Sequence, residues 1–334
     1  MNFSRRQVGR LLSGALLSNW ILLRQALSAP NGFQVDRLLG EHAYAASTDQ
    51  HRAYRAEVVV SLLGLPIFSR SGVGSGFCSY WRAKEGDITI TKARFAGGSF
   101  PQKTHNLNRL GLIEEVVIEK DGAPVEAAYF GFMTSSPEEG ASEARKALDG
   151  GNAEIPYVAT EGLILATQFR ATKTRFQFSN RWTWADRKSI FQQVRERFAT
   201  TKAEVNNVTF PGDTWPGTFL HCMIKALEQN PAQFQAGYVY NAKHFGLRMD
   251  KTADAKAGGN FAAKGLTARP QSVMQFRGVI HDDSTGKLTN FRLWTEEGGE
   301  TLLPLRIELQ ARSFLALAFE FDLMLQSHKE SQDL

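Results

Sequence analysis

An alternation of apolar and polar residues with a period of two is the feature that most constrains the fold of this chain. It is the dominant period from Tyr54 onward, and Arg55–Ser61 is the first stretch that it predicts to be a strand. Such a period places one side of each strand against a core. Lys120-Asp121-Gly122 lies between two apolar runs and predicts a hairpin turn, because Gly accepts the positive φ that the turn needs. Most of the chain is therefore expected to form antiparallel sheet.

The same pattern sets the expected strand positions. Strands are predicted over residues 55–61, 67–81, 87–96, 110–120, 125–134, 163–179, 237–243, 245–249, 273–281, 289–295, 303–311 and 314–321. Gly64-Leu65-Pro66 is expected to separate the strand at residues 55–61 from the strand at residues 67–81. The stretch Asp254–Arg269, which contains Gly258-Gly259, is expected to be a mobile loop.

Two amphipathic helices interrupt the strands. The first is predicted from the capping-box form of Thr183–Asp186 and continues at helical spacing to about Ala199. The second is predicted to begin near Asp213–Thr214, with Pro216 in its first turn, and to end at Asn230-Pro231. Each has one apolar face, so both are expected to pack on the sheet.

These elements predict a mainly β protein, with a curved antiparallel sheet or partly open β-barrel and the two amphipathic helices packed on it. Two halves joined around the helical segment are one option within that class. The predicted divisions are a signal peptide at 1–28, a linker at 29–53, a first antiparallel β half at 54–182, a helical segment at 183–230, a second antiparallel β half at 231–325 and a tail at 326–334.

The composition is that of a folded globular chain. Of 334 residues, 43% are hydrophobic and 22% are charged, which supports a core and excludes a disordered chain. The formal net charge is +5, but residues 1–28 hold four arginines and no acidic residue. The rest of the chain holds 35 basic and 34 acidic residues. No nucleic-acid partner is expected from so even a balance.

Residues 1–28 have the three parts of a secretory signal: a basic start, a mostly apolar run from Leu11 to Leu23 and an exit of small residues. Ser4-Arg5-Arg6-Gln7-Val8 resembles the twin-arginine signal, which implies export of an already folded chain. Cleavage near Ala26-Leu27-Ser28 would leave a periplasmic or extracellular protein. The alternative is an amphipathic anchor that stays attached. No later apolar run approaches the roughly 20 residues of a transmembrane helix.

The glycines of Gly72-Val73-Gly74-Ser75-Gly76 are the most distinctive local feature. The stretch lacks the form of a phosphate-binding loop. In a strand its three glycines would share one bare face, which a helix, an aromatic ring or an apolar ligand must approach closely. Close packing by the protein itself and a ligand groove are both open.

Aromatic pairs on strand faces suggest where such a ligand would lie. Two phenylalanines share a face in one predicted strand, and two more do so in the last strand. They belong to an ordinary core or, if the sheet curves into a cup, line a pocket for an acyl or isoprenoid tail. The candidate ligand-binding residues are Gly72, Gly74, Gly76, Phe176, Phe178, Phe319 and Phe321.

Motifs for catalysis are absent from the sequence. It contains no G-x-S-x-G, H-E-x-x-H or C-x-x-C, and His281-Asp282-Asp283 is interpreted as a hairpin turn before Gly286. No catalytic residue, metal ligand or cofactor is therefore predicted. Cys78 and Cys222 form a disulfide or remain separate buried thiols, and both interpretations stay open.

Two segments resemble an exported bacterial family of unknown function with a lipoprotein-carrier-like half-barrel. One runs from Tyr54 through Leu65-Pro66-Ile67, and the other joins Phe291–Trp294 to Leu303-Pro304-Leu305-Arg306-Ile307-Glu308. The resemblance implies that the second segment is a closing hairpin, and it implies no catalytic residue. The chain departs from the family at Gly72–Gly76 and through its long middle.

The favoured hypothesis is a non-catalytic, exported protein of the cell envelope that binds a lipid or other apolar small molecule, or an envelope partner. The alternative is an exported hydrolase or cofactor-dependent enzyme whose site is assembled from scattered residues such as Asp213, His221 and His244. A purely structural module with a filled core is a third option. The sequence leaves the oligomeric state open.

Overall fold

The computed structural model describes residues 47–62, 65–99, 110–134, 154–165, 168–179, 186–200, 204–209, 218–240, 243–312 and 315–327. These ranges contain fourteen strands in one sheet. The strands are β1 (Ser47–Leu62), β2 (Leu65–Glu85), β3 (Ile88–Ser99), β4 (Leu110–Lys120), β5 (Ala123–Thr134), β6 (Glu154–Leu165), β7 (Gln168–Ser179), β8 (Glu204–Thr209), β9 (Gln233–Tyr240), β10 (Lys243–Ala253), β11 (Val273–Asp282), β12 (Leu288–Glu296), β13 (Arg306–Arg312) and β14 (Leu315–Phe321).

Four α-helices accompany the sheet in the part of the chain that the structure describes. They are α1 (Arg187–Thr200), α2 (Phe219–Gln229), α3 (Ala255–Ala263) and α4 (Leu323–Ser327). None of these helices has the length and apolar character needed to cross a bilayer.

The sheet consists of two antiparallel meanders, the first formed by β1–β8 and the second by β9–β14, which are joined by the pairing of β1 with β14. Its order is β8-β7-β6-β5-β4-β3-β2-β1-β14-β13-β12-β11-β10-β9. The seam between the meanders runs from the pair Tyr54↔Phe321 to the pair Val60↔Leu315. The two ends of the order are β8 and β9, and no ladder joins them among the described strands. The sheet is therefore open.

Contacts between distant strands show that the sheet is strongly curved. Adjacent strands lie about 4.8 Å apart, so the ten steps from β5 to β9 would span about 48 Å in a flat sheet. Instead the rings of Tyr129 and Tyr240, on these two strands, have centroids 4.8 Å apart. The face that carries Tyr129 is thus the concave face, and the predicted curved sheet is confirmed.

The two predicted helices pack on opposite faces. Phe132 points away from the concave face, three residues after Tyr129 on β5, and its ring meets Phe191 of α1 edge-on with centroids 6.3 Å apart. Helix α2 contacts β3, β4 and β9. It lies inside the curve, because an 11-residue helix about 16 Å long could not reach strands so far apart on a flat sheet.

Several element boundaries differ from the sequence prediction. The single strand expected over 163–179 is the pair β6 and β7, whose connection at Ala166-Thr167 has no Gly, Asn or Asp to mark a turn. Strand β8 is absent from the predicted strands, because two of its six residues are asparagine. Strand β13 begins at Arg306 rather than Leu303. Strand β1 begins at Ser47, inside the predicted linker.

The helical predictions need two corrections. Helix α2 begins at Phe219, since Thr218 is its extended N-cap residue, and so it starts later than the predicted Asp213–Thr214. The stretch predicted as a mobile loop contains α3, whose N-terminus is capped by the side chain of Asp254. The predicted signal peptide, its cleavage region and Asp213 lie outside the described residues.

Candidate functional site

Helix α2 lies at the centre of the concave face, and its ends are defined by local chemistry. Thr218 precedes it with extended angles (φ −109°, ψ 171°). Asn230 ends it in the left-handed conformation (φ 49°) and donates its N–H to the carbonyl of Ala226. Asn tolerates that conformation better than most residues, and Pro231 then prevents continuation.

One side of α2 is apolar and packs on strands of both meanders, mainly those of the second. Cys222, Met223 and Ala226 are buried there. The ring of Phe219 lies 5.6 Å from that of Tyr238 on β9 and 6.2 Å from that of Phe291 on β12. We call the buried residues of the strands in this cluster the apolar wall. They are Tyr54, Ala56, Val73, Tyr238, Leu247, Met249, Phe276, Phe291, Leu293, Ile307 and Phe319.

The other side of α2 carries a polar stripe. Thr218, His221, Lys225 and Glu228 recur every three or four residues, which places them along one edge of the helix. They contact side chains of β4 and β2 in the first meander. The helix therefore joins the two meanders through an apolar interface on one side and an ionic interface on the other.

Glu115 on β4 caps the N-terminus of α2. Its Oε2 accepts hydrogen bonds from the hydroxyl of Thr218 and from the N–H of His221, the latter at 2.9 Å, and the N–H of Leu220 also donates to this carboxylate. The residue is 1% exposed, and its Oε1 has no hydrogen-bond partner among the described residues. Burial raises the pKa of Glu115 to about 7, although these hydrogen bonds act to lower it.

Glu119 lies four residues further along β4 on the same face. Its Oε1 is 2.7 Å from Nζ of Lys225 and 3.5 Å from Nε2 of His221. Burial raises the pKa of Glu119, but the hydrogen bonds and charges of His221 and Lys225 outweigh burial and hold the pKa at about 2. Burial lowers the pKa of His221 in spite of its carboxylate neighbour. The cluster therefore holds an ionised Glu119 and a neutral imidazole at neutral pH.

The polar stripe reaches solvent at the C-terminal end of α2. Glu228 accepts a hydrogen bond of 2.9 Å from the hydroxyl of Tyr80 and forms an ion pair with Arg82, both on β2. The side chain of Arg82 is 36% exposed, whereas that of Glu119 is 2% exposed. The ionic interface thus runs from a buried end at Glu115 to a partly solvated end at Arg82.

A histidine beside a carboxylate can transfer protons, but burial limits what this one can reach. His221 is 1% exposed, and Glu119 is also 1% exposed. Both therefore interact with protein groups rather than with a substrate in solution. No group of three His, Cys, Asp or Glu side chains in the described ranges is arranged to hold a metal ion.

Of the three glycines that were predicted to share one strand face, the structure places Gly76 directly under an aromatic ring. The ring of Phe319 lies over Gly76, where a Cβ would be 2.7 Å from Cδ1 of the ring, and also over Gly97 on β3. Gly74 pairs with Ala56 on β1. Gly72 does not share the face, because it has a φ of 66° at a register shift where the pairing jumps from Gly74 to Ser71. The structure thus brings Gly76 and Phe319 together, as close packing by the protein.

The remaining candidate ligand-binding residues are the phenylalanines of β14 and β7. Phe321 packs against the apolar wall and carries the guanidinium of Arg52 4.7 Å above its ring centroid. Phe176 and Phe178 belong to β7, paired with Tyr157 and Ile155 of β6, and their side chains are not among those described. The binding role of these residues remains a prediction.

Of the scattered residues considered for an enzyme, the two histidines in the described part of the chain have separate partners. His221 contacts Glu119, whereas Nδ1 of His244 contacts Asp283, which also accepts from His281 at 2.7 Å. His281 and Asp283 lie at the β11–β12 hairpin, where a turn was predicted and where Gly286 has a φ of 68°. Cys78 and Cys222 are both free thiols.

The buried carboxylates are functional groups that sequence reasoning missed. In Leu110–Lys120 the pair Glu114-Glu115 and Glu119 interrupt an apolar run without matching any catalytic or metal motif. A signal did exist, since a strand buried on both faces rarely carries carboxylates unless they are partnered. Which partners they have depends on α2, more than a hundred residues away in the chain.

Comparisons with known proteins give one structural similarity. No protein family matches the chain, and no curated protein matches its sequence. The fold is similar to that of a crystal structure described as a beta-barrel-like protein of the domain of unknown function DUF1849 from Brucella abortus. The identity is 8%, the TM-score is 0.43, and the match covers 81% of this chain and 95% of that one.

Proposed function

We propose that this protein is a non-catalytic binding protein that takes up a lipid-like, apolar ligand on the concave face of its sheet, where α2 lies in the present structure. The observation that carries the proposal is the seating of α2. In the described part of the chain, the amphipathic helix α2 covers a continuous apolar wall inside an open, curved sheet.

The wall is suited to an apolar ligand because it is broad and aromatic. It includes side chains from both meanders, with Tyr54 and Phe319 at the seam and Phe276 and Phe291 further along. Ligand pockets are typically concave and lined by such residues with few polar groups. A ligand that replaced α2 would recover the apolar contacts that the helix now makes.

Helix α2 is suited to move as a unit. Its 11 residues are too few to be stable as an isolated helix in water, so its order depends on the wall and on the ionic interface. The ionic interface is partly solvated at Lys225 and Glu228, whose side chains are 21% and 19% exposed. The pair of Arg82 and Glu228 is partly exposed and contributes little, about 0 to 1 kcal/mol, whereas the contact of Lys225 with the buried Glu119 must be replaced by the ligand when α2 leaves.

Ligand binding is tested with phenylnaphthylamine, an uncharged fluorophore, and with solvent extraction of the purified protein followed by mass spectrometry. We expect a bound lipid or saturable fluorescence. Phe219→Ala removes the ring that α2 lays on Tyr238 and Phe291, so it is expected to strengthen probe binding several-fold. Leu288→Ala is the matched control, because Leu288 is 60% exposed and lies elsewhere.

Two results would count against binding. The first is an extract without lipid together with no saturable fluorescence from the wild-type protein. The second is saturable fluorescence that Phe219→Ala and Leu288→Ala change equally, since the site would then lie away from α2. A thermal melt of each variant shows whether it is folded before the comparison is made.

We also propose that the protein acts in the cell envelope after export by the twin-arginine route. The support is the form of residues 1–28 and the resemblance of Leu303–Glu308 to the closing hairpin of an exported family. Replacing Arg5 and Arg6 with lysine is expected to leave the full-length precursor in the cytoplasm. The unchanged chain should appear outside the inner membrane, with a new N-terminus near Ala29. Equal export of both chains would contradict the route.

A further inference from the structure

The ammonium group of Lys225 forms an ion pair with a buried carboxylate of the sheet. Its Nζ lies 2.7 Å from Oε1 of Glu119, which is 2% exposed in its side chain. Lys225 is on α2, whereas Glu119 is on β4. If a ligand displaces α2, the cation leaves with the helix and the carboxylate stays behind.

The same displacement removes the partners of Glu115. Its Oε2 accepts from Thr218 and from the N–H of His221, both of which move with α2. Its Oε1 already has no hydrogen-bond partner in the described part of the chain. A buried carboxylate without a partner is unfavourable, so the emptied site would hold two such groups on the same strand face.

We infer that the ligand is an amphiphile with a protonated amine as its headgroup, which takes the place of Lys225 on Glu119 while its apolar tail lies along the wall. This inference rests on the proposed function. Helix α2 has both features of such a ligand, since it combines an apolar surface with one ammonium group. A ligand that replaces it must meet the same surface with the same charge.

The charges that remain on the sheet favour this class over a fatty acid. Of the groups around the polar stripe, His221, Lys225 and Glu228 belong to α2, and Glu115, Glu119, Tyr80 and Arg82 belong to the sheet. Arg82 is 36% exposed and can return to water when Glu228 leaves. Glu119 has no such access. An anionic headgroup would add a third negative charge beside two carboxylates.

The test uses three twelve-carbon amphiphiles, dodecylamine, dodecanol and dodecanoate, with the amine and the carboxylate below their micelle concentrations and the alcohol below its solubility limit. The affinity of each amphiphile is measured at pH 7.5 by its competition with phenylnaphthylamine for the protein. We expect dodecylamine to bind about tenfold more tightly than dodecanol, because a charge-assisted hydrogen bond replaces the Lys225 contact. Dodecanoate is expected to bind most weakly.

Two variants assign the preference to Glu119. Glu119→Gln keeps the size of the side chain and removes its charge, so the ratio between dodecylamine and dodecanol should fall to about one. Lys225→Met removes the internal competitor, so dodecylamine should bind several-fold more tightly than to the wild-type protein. Lys264→Met is the control, because Lys264 pairs with Glu320 in a separate ion pair and should leave all three affinities unchanged.

The outcomes separate this inference from the proposed function. Equal binding of the three amphiphiles, or an amine preference that persists in Glu119→Gln, would overturn the headgroup while apolar binding stands. Should Glu119→Gln not fold, an unchanged dodecylamine affinity in Lys225→Met would overturn it as well. Absence of binding by the probe and by every amphiphile would overturn both.

Discussion

Two carboxylates on one strand show how local partners decide ionisation. Glu115 and Glu119 share a face of β4, and each is 1% exposed. Glu115 receives only neutral donors, so burial dominates and its pKa rises to about 7. Glu119 has Lys225 and His221 as neighbours, so its pKa falls to about 2. The deeper burial of Glu115 and the charged neighbours of Glu119 thus move the two pKa values in opposite directions.

The raised pKa of Glu115 predicts a pH dependence of stability. Its value in the folded protein lies above the ordinary value of 4.5, so the folded state binds the proton more tightly. The stability that this proton contributes is complete below pH 4.5 and is lost as the pH rises through 7. The Glu115→Gln variant has no proton to lose at this position. Its unfolding free energy, relative to that of the wild type, is therefore expected to increase by about 1 to 3 kcal/mol as the pH rises from 4.5 to 8.

Urea unfolding at several pH values measures this difference. His221 has a lowered pKa, so its contribution to stability is present above 6.5 and is lost as the pH falls. Because that contribution is common to both proteins, it largely cancels in the comparison. Glu126→Gln is expected to act in the same sense, since burial alone raises the pKa of Glu126 to about 7. Parallel pH profiles for Glu115→Gln and the wild type would show that Glu115 does not titrate in this range.

At the scale of elements, α3 shows why a pair of glycines misled the prediction of a loop. Gly258 packs directly against the carbonyl of Pro270, where a Cβ has no room, whereas Gly259 has nothing within 4 Å of its Cβ position. The side chain of Asp254 accepts from the N–H of Ala257 and from Nε1 of Trp294, which caps the helix and holds it on β12. Tertiary contacts therefore outweigh the weak helix propensity of the glycines.

The neighbouring glycines make a matched pair of variants. Gly258→Ala is expected to lose about 1 to 3 kcal/mol of unfolding free energy, because the methyl group would force α3 away from Pro270. Gly259→Ala is expected to gain about 0.5 to 1 kcal/mol, because the residue is exposed and alanine favours the helix. Denaturant midpoints for both variants test the prediction. Equal effects at the two positions would mean that α3 is not seated as described.

The elements that the sequence could predict are those with local signals. Alternation identified most strands, and Asp121-Gly122 identified a hairpin in which both residues have positive φ, at 52° and 77°. The sequence between β6 and β7 has no Gly, Asn or Asp and carries no such signal, although the two strands pair with each other. The ionic interface of α2 could not be predicted either, because Glu115 and His221 meet only after the sheet has curled.

At the scale of the whole molecule, Phe319 links the two meanders. It belongs to β14 in the second meander, yet its ring lies over Gly76 of β2 and Gly97 of β3 and meets the ring of Phe95 edge-on at 5.3 Å. The glycines leave the space that the ring fills. Residues from one meander thus complete the core of the other, and the two are expected to unfold together.

Phe319→Ala tests whether they do. Removing the ring leaves a cavity over two glycines that cannot fill it, so about 3 to 5 kcal/mol of unfolding free energy should be lost. Leu323→Ala, at a residue that is 48% exposed, should change it by less than about 0.5 kcal/mol. Because Phe319 bridges the seam, hydrogen exchange of β2–β3 and of β11–β12 should accelerate by similar factors. If exchange accelerated in β2–β3 alone, the meanders would be independent folding units, and the seam would join two domains rather than close one core.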